Sequence, residues 1–127
     1  MSKPDIIIVE DDPLVGEISR DILAGAGYAV QLVPESREAV AAVRAGMPKL
    51  VITDIMMPGV TGLDICKALK ADPHLKDIPV MVMSAKSFET EKRRAAMFGA
   101  AYFLVKPFSE KSLLSTVAGI LGPREGK

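Results

Sequence analysis

The stretch Ile6-Ile7-Ile8-Val9-Glu10-Asp11 decides the fold, because four β-branched residues lead directly into two acids. A short run of this kind, bounded by polar residues, is typical of a β-strand. Three further runs end on a polar or charged residue: Leu50-Val51-Ile52-Thr53 before Asp54, Val80-Met81-Val82-Met83 before Ser84, and Phe103-Leu104-Val105 before Lys106. Because helical patterns lie between these runs, the sequence predicts parallel strands of an α/β sheet.

Parallel strands place their carboxyl ends along one edge of the sheet, which is where ligands bind in such folds. The order of the runs therefore predicts that three carboxylates, a hydroxyl and an ammonium group meet there: Glu10, Asp11, Asp54, Ser84 and Lys106. Hard oxygen ligands suit Mg²⁺, and the whole set suits a phosphoryl group. Two carboxylates about 5 Å apart repel by roughly 3 kcal/mol at an effective dielectric constant near 20, so a cation and Lys106 are needed to offset their charge.

Composition narrows the class of protein. The chain has 127 residues, of which 49% are hydrophobic, so we expect one domain with a substantial core. Its 16 basic and 16 acidic residues give a formal net charge of zero, which does not indicate binding to nucleic acid or membrane. The single cysteine, Cys66, excludes an intramolecular disulfide. The amino-terminal apolar run is too short for a signal peptide or a membrane span, so the expected location is cytoplasmic.

The chain as a whole predicts five repeats of strand then helix. We expect strands at residues 6–9, 29–33, 50–53, 80–83 and 101–105, and helices at 13–25, about 36–45, from near 62 to 70, 89–98 and after 109. Asp12 and Ser109 are the expected caps of the first and last helices. The predicted inward-facing residues of the first, second and last helices are Leu14, Ile18 and Ile22; Val40 and Val43; and Leu113, Val117 and Leu121.

Four sequence blocks together resemble a known family: residues 9–12 (Val-Glu-Asp-Asp), 54–62 (Asp-Ile-Met-Met-Pro-Gly-Val-Thr-Gly), 83–85 (Met-Ser-Ala) and 105–108 (Val-Lys-Pro-Phe). In this order and at strand ends they resemble the response-regulator receiver domain, over about residues 5–121. The resemblance implies a doubly wound five-stranded parallel sheet of order 2-1-3-4-5 flanked by five helices, an order known for folds of this type. The receiver domain is expected at residues 1–122, with 123–127 as a flexible tail or the start of a linker.

The resemblance also implies a phosphoacceptor site. Asp54 would accept a phosphoryl group from a phosphohistidine of a sensor histidine kinase or a histidine phosphotransfer protein. Asp11, Asp54 and the backbone carbonyl of Met56 would hold Mg²⁺, and Glu10 would hold it through water. The module would then bind an unknown downstream protein partner, without direct contact to nucleic acid or membrane.

Further roles follow from the same resemblance. Lys106 would pair with one phosphoryl oxygen and Ser84 with another, and Phe103 lies where the family has its switch aromatic, on the face of helix four, strand five and helix five. The peptide between Lys106 and Pro107 would be cis. Met56 and Lys86 would flank the path of a hydrolytic water. Because Met56 has only a weak acceptor and a protonated lysine has none, they predict a long-lived phosphorylated state.

Other interpretations remain open on the residues alone. A phosphohydrolase with an aspartyl nucleophile would need a second acid two residues after Asp54, where Met56 stands. A flavodoxin-like cofactor binder would need a phosphate loop after the first strand, where the acids would repel phosphate. A protein-interaction module that is never phosphorylated is a further alternative. We expect four other features to be structural or solvated: Cys66 as a packed thiol, His74 in a loop, residues 92–94 (Lys-Arg-Arg) on a helix face, and, on spacing alone, Phe103 in the core.

Overall fold

A computed structural model describes residues 3–85 and 89–123 of the chain. Within these residues five parallel strands form one sheet in the order β2-β1-β3-β4-β5, as predicted. The strands are β1 (Ile6–Val9), β2 (Val30–Val33), β3 (Leu50–Asp54), β4 (Val80–Ser84) and β5 (Tyr102–Val105). The chain crosses from β1 outward to β2 and then back past β1 to β3, so the sheet is doubly wound.

Within the described residues five α-helices cover the sheet, in agreement with the predicted class. They are α1 (Pro13–Gly25), α2 (Ala39–Gly46), α3 (Gly62–Ala71), α4 (Glu89–Met97) and α5 (Glu110–Leu121). The helix expected from about residue 36 instead begins with a 3₁₀ turn at Ser36–Glu38 before α2. The cap predictions are confirmed. The Asp12 carboxylate accepts from the amides of Leu14 and Val15, and the Ser109 hydroxyl accepts from the amide of Ser112.

The two faces of the sheet each carry a hydrophobic core. Along β1, Ile6 and Ile8 belong to one cluster and Ile7 and Val9 to the other, and all four side chains are fully buried. This double burial explains why the strand has no polar residue on either face. In the described part of the chain, no helix combines the length and the apolar character needed to cross a membrane.

The prediction for the inward face of α1 was wrong for Leu14 and Ile18 and held for Ile22, which is partly buried and packs against a core cluster. Leu14 and Ile18 are 67% and 48% exposed, whereas Gly16, Ser19 and Leu23 are buried. Gly16 explains the difference, because a Cβ there would lie 2.9 Å from a methyl carbon of Leu32 on the sheet. The helix therefore approaches the sheet closely at Gly16, with Ser19 and Leu23 also buried, while Leu14 and Ile18 remain exposed.

The other inward-facing predictions hold in most positions. Val43, Leu113 and Val117 are fully buried. Val40 and Leu121 are only partly buried, although both pack against the core clusters.

Candidate functional site

The carboxyl edge of the sheet brings the predicted side chains together because the strands are in register. Val9 pairs with Thr53, Asp54 with Met83, and Ser84 with Val105. Two backbone hydrogen bonds extend this register beyond the strands: the Ile55 amide donates to the Met83 carbonyl at 3.0 Å, and the Lys106 amide donates to the Ser84 carbonyl at 2.8 Å.

Three acids form the centre of this edge. Glu10, Asp11 and Asp54 each place one carboxylate oxygen within 4.8 Å of the other two. Their environments differ, since Glu10 is buried, Asp54 is half-buried and Asp11 is exposed. A carboxylate of Glu10 also accepts a hydrogen bond from the Asp12 amide at 3.1 Å, which fixes the acid against the turn that follows β1.

Lys106 joins two of these acids. Its Nζ lies 2.9 Å from Glu10 Oε1 and 3.1 Å from Asp54 Oδ1, and only 19% of its side chain is exposed. The peptide that follows it, between Lys106 and Pro107, is cis, as the resemblance implied. With three carboxylates and one ammonium group, the cluster retains excess negative charge when all groups are ionised.

The electrostatics of the cluster follow from its burial. Desolvation raises the pKa of Glu10 and the pKa of Asp54, and the nearby Lys106 only partly offsets this effect. For Lys106, burial acts to lower the pKa, but the hydrogen bond to Glu10 and the charge of Asp54 outweigh it and hold the pKa above its ordinary value. The site therefore holds two carboxylates whose ionised forms are poorly compensated, a condition that favours an added cation.

Two hydrogen bonds hold the backbone at Asp54 and Ile55, one of them from the start of α3. The Gly62 amide donates to the Ile55 carbonyl at 2.8 Å, and the Thr53 hydroxyl donates to the Asp54 carbonyl at 3.0 Å. Thr61 and Asp64 form a reciprocal capping box that begins the helix at this point. Gly59 has a φ of 76°, a left-handed conformation that favours glycine, within the turn between β3 and α3.

A small cavity opens directly beside Asp54. Its volume is about 150 Å³, and its walls are Asp54, Ile55, Met56, Ser84, Ala85, Glu91 and Lys106. Ser84 is buried at the end of β4, while Met56 is 69% exposed. Lys86, predicted to flank the same space, lies outside the described residues. Glu91, on α4, was missed by the sequence reasoning because nothing in the helical pattern indicates which residue of α4 faces the sheet edge.

Phe103 lies on β5, where it pairs with Val82. It is partly buried and packs against the core cluster on the side of the sheet that contains Val82 and Ala95. Its position thus agrees in part with the expectation that Phe103 belongs to the core.

The remaining residues singled out in the sequence lie away from this edge or face solvent. Cys66 is a fully buried free thiol, and burial raises the pKa of this thiol to about 11. His74 is exposed, and so are all three basic residues of 92–94.

Comparison with known proteins agrees with this geometry. The family described as "Response regulator receiver domain" matches residues 6–118. The fold and the cluster of acids with a lysine define a receiver domain, as found in two-component phosphorelays. The chain belongs to the response-regulator receiver family.

Relatives from several bacteria share this domain. The chain is 32% identical over 120 residues to the DNA-binding response regulator MtrA of Mycolicibacterium smegmatis, covering 94% of this chain and 51% of that protein. It is 33% identical over 118 residues to the transcriptional regulatory protein BaeR of Escherichia coli, covering 93% of this chain and 48% of that protein. The chain thus spans about half the length of the curated relatives it matches.

Solved structures show the same fold. The chemotaxis response regulator CheY4 of Vibrio cholerae superposes with a TM-score of 0.88 at 28% identity, covering 94% of this chain and all of that chain. The signal receiver domain of a signal transduction histidine kinase from Syntrophus aciditrophicus superposes with a TM-score of 0.84 at 36% identity, covering 93% and 89% of the two chains.

Proposed function

We propose that this domain accepts a phosphoryl group from a phosphohistidine onto Asp54 and thereby switches the face formed by α4, β5 and α5 for binding of a protein partner. The observation that carries the proposal is the contact of Lys106 Nζ with Asp54 Oδ1 at 3.1 Å, at the wall of an open cavity. The phosphodonor is a sensor histidine kinase or a histidine phosphotransfer protein.

Asp54 is the best nucleophile among the three acids. Glu10 is only 1% exposed and its carboxylate is held by Lys106, so a donor cannot reach it. Asp11 is exposed but does not line the cavity beside Ser84 and Lys106. Asp54 alone combines access to the cavity with contact to the lysine that would neutralise an incoming oxygen.

The donor set of the cluster fits Mg²⁺. Two oxygen atoms bound to one Mg²⁺ at 2.0–2.1 Å lie at most about 4.2 Å apart, so the carboxylate oxygens of Asp11 and Asp54 need only small side-chain movements to share an ion. Asp11, Asp54 and the carbonyl of Met56 would hold the ion directly, and Glu10 through water. When bound, Mg²⁺ supplies positive charge that offsets the repulsion between the carboxylates and the phosphoryl oxygens.

The transfer itself needs little from the protein beyond position and charge. A carboxylate oxygen of Asp54 forms a bond to phosphorus, and the bond between phosphorus and the imidazole nitrogen of the donor breaks, with the electron pair returning to the imidazole. Lys106 donates to one phosphoryl oxygen and the hydroxyl of Ser84 to another. Both residues already line the cavity in which that group would sit. The domain is in this sense a catalyst of its own modification rather than an enzyme acting on other molecules.

Phosphorylation would reach the partner-binding face through a change in side-chain packing. Ser84 would move toward the phosphoryl oxygen, and Phe103 would fill the space that it vacates. A phenylalanine carries no hydroxyl, so this shift rests on ring packing and not on a new hydrogen bond. Met56 offers a hydrolytic water only a weak acceptor and a protonated Lys86 would offer none, so the phosphorylated state should be comparatively long-lived.

The aspartyl phosphohydrolase is the second candidate function, and one observation counts against it. Such an enzyme needs a general acid two residues after the nucleophile, and that residue here is Met56, which cannot transfer a proton. We take residues 1–122 as the receiver unit and 123–127 as a tail or linker. The downstream partner is a protein, and the domain itself makes no direct contact with nucleic acid.

Intact mass tests this proposal. The protein is incubated with a small phosphodonor and Mg²⁺, and its mass is compared with that of Asp54→Asn. We expect one added phosphoryl group on the parent protein and none on the variant. Asp64→Asn is the matched control, because Asp64 caps α3 away from the cavity and should leave uptake unchanged. Equal uptake by parent and Asp54→Asn would contradict the assignment, and no uptake by the parent would favour the unphosphorylated interaction module.

A further inference from the structure

The cavity beside Asp54 is lined by a second acidic residue that the phosphoacceptor chemistry above does not use. Glu91 lies in the first described turn of α4 and lines the same 150 Å³ space as Asp54, Met56 and Ser84. The neighbouring acid Glu89 is exposed and does not line it. A cavity of this size has room for a phosphoryl group and a water molecule at the same time.

The carboxylate of Glu91 is also available for a new partner. Among residues 3–85 and 89–123, no hydrogen bond or ion pair engages it, and the lysine in the same wall is committed to Glu10 and Asp54. A free carboxylate offers up to four acceptor sites to water, whereas the thioether of Met56 is only a weak acceptor. Among the residues that line the cavity, Glu91 is therefore the one carboxylate-bearing residue besides Asp54.

We propose that Glu91 orients the water that hydrolyses the phosphorylated Asp54 and so sets the lifetime of the signal. This inference rests on the proposed phosphoacceptor function. In the step, the water oxygen forms a bond to phosphorus, and the bond between phosphorus and the Asp54 oxygen breaks with its electron pair returning to the carboxylate. Both hydrogens of the water leave with the product as dihydrogen phosphate, one of them passing through the Glu91 carboxylate.

This role assigns the two walls of the cavity different effects on lifetime. Met56 leaves the attacking water without a strong acceptor on the β3 side, and Glu91 supplies one from the α4 side. Removing the Glu91 carboxylate should therefore slow hydrolysis further. Loss of one charge-assisted hydrogen bond corresponds to a decrease of about tenfold in rate.

The experiment follows phosphate loss from the whole chain after the phosphodonor has been removed. Glu91→Gln should lose phosphate about tenfold more slowly than the parent, while its rate of phosphate uptake stays the same or rises. Glu89→Gln is the matched control, since it removes an acid from the same turn without changing the cavity wall, and it should behave as the parent does. Glu91→Asp should recover part of the rate because it retains a carboxylate.

A second variant separates the effect on water from an effect on structure. Met56→Asn placed in the Glu91→Gln background supplies an acceptor from the opposite wall and should restore hydrolysis toward the parent rate. Phosphate loss from Glu91→Gln that is as fast as from the parent, or an equal slowing in Glu89→Gln, would overturn the role of Glu91 and leave the phosphoacceptor function intact. Failure of the parent to take up phosphate would overturn both proposals.

Discussion

Gly62 packs directly against the backbone of Asp54, so that a Cβ at position 62 would overlap the Asp54 carbonyl oxygen. The contact follows from the short connection between β3 and α3, in which the Gly62 amide also donates to the Ile55 carbonyl. The helix thus begins against the same backbone that presents the proposed nucleophile. Any side chain at position 62 has to displace that backbone.

Gly62→Ala should therefore destabilise the fold and disturb the site together. We expect a loss of about 1–3 kcal/mol in the free energy of unfolding, the usual cost of forcing a group into a packed region. Denaturant unfolding measures it. Gly119→Ala is the control, because that glycine lies in α5 with open space around it, and alanine there should stabilise by about 0.5–1 kcal/mol. Equal effects of the two changes would refute the proposed contact.

The charge of Asp54 should cost stability in the absence of a metal ion. Burial raises the pKa of Asp54 above the value of 3.8 that an unperturbed carboxyl has, so the folded state favours the protonated acid. The stability that comes from the protonated Asp54 is full below pH 3.8 and is lost as the pH rises through the higher pKa of the folded state. Asp54→Asn should therefore unfold at a higher temperature than the parent at pH 7 without Mg²⁺, and the difference should shrink toward pH 4.

Asp64 provides a control of opposite sign. Hydrogen bonds from the backbone and side chain of Thr61 lower the pKa of Asp64, so its contribution is present above the unperturbed value and is lost as the pH falls. Asp64→Asn should lower the unfolding temperature at pH 7 or leave it unchanged. A rise in the unfolding temperature for both variants would show that removal of any acid stabilises this protein. It would contradict the claim that burial of the Asp54 charge costs stability.

Mg²⁺ binding should depend unequally on the acids of the cluster. Asp11→Ala removes a proposed direct ligand and should abolish measurable binding. Glu10→Gln should weaken it by about 10–100-fold, the effect usual for a group that acts on the ion through another ligand. Titration followed by NMR chemical shifts measures both affinities. Asp12→Ser retains the cap of α1 but removes an adjacent charge outside the cluster, and it should bind Mg²⁺ as the parent does.

The buried thiol of Cys66 gives a probe of the core. Burial raises its pKa to about 11, so at pH 8 the folded protein should not react with a thiol reagent, whereas the unfolded chain should react at once. Stability that depends on the neutral thiol is full below pH 9 and is lost as the pH rises through 11. Cys66→Ala should show a smaller loss of stability than the parent between these two pH values. Rapid labelling of the folded parent at pH 8 would contradict the burial of this residue.

The parts of the site that could be predicted from sequence are those fixed by strand ends. Asp54, Ser84 and Lys106 each end or follow a short apolar run, and in a parallel sheet the carboxyl ends of all strands lie at the same edge. The inward face of α1 could not be predicted in the same way. Its apolar spacing favoured Leu14 and Ile18, but with the close approach that Gly16 permits to Leu32, the residues that face inward are Gly16, Ser19 and Leu23.

The position of Glu91 at the cavity could not be predicted from the sequence either. Charged residues make up much of α4, where only Ala95 is buried, so the hydrophobic pattern does not orient the helix. Which acid faces the cavity depends on how α4 sits against β4 and β5. This packing is a tertiary arrangement, and the hydrophobic pattern of the helix does not predict it.

The last prediction concerns how the phosphorylated state reaches the partner. Ser84 is buried at the end of β4, and Phe103 lies one strand away on β5, paired with Val82 and partly buried. If Ser84 moves toward the phosphoryl group, the ring can enter the freed space, and this changes the surface that α4 and β5 present. NMR spectra with and without a phosphoryl mimic should shift within residues 86–104 and stay constant in α2, which contacts β1 on the same face of the sheet but far from β5 in the strand order. Ser84→Ala should bind the mimic but lose most of the shift on β5, because the hydroxyl that couples the two residues is gone. Phe103→Leu should keep the shift at Ser84 and lose it on α4. A response in Ser84→Ala that equals the parent's would show that another group carries the change.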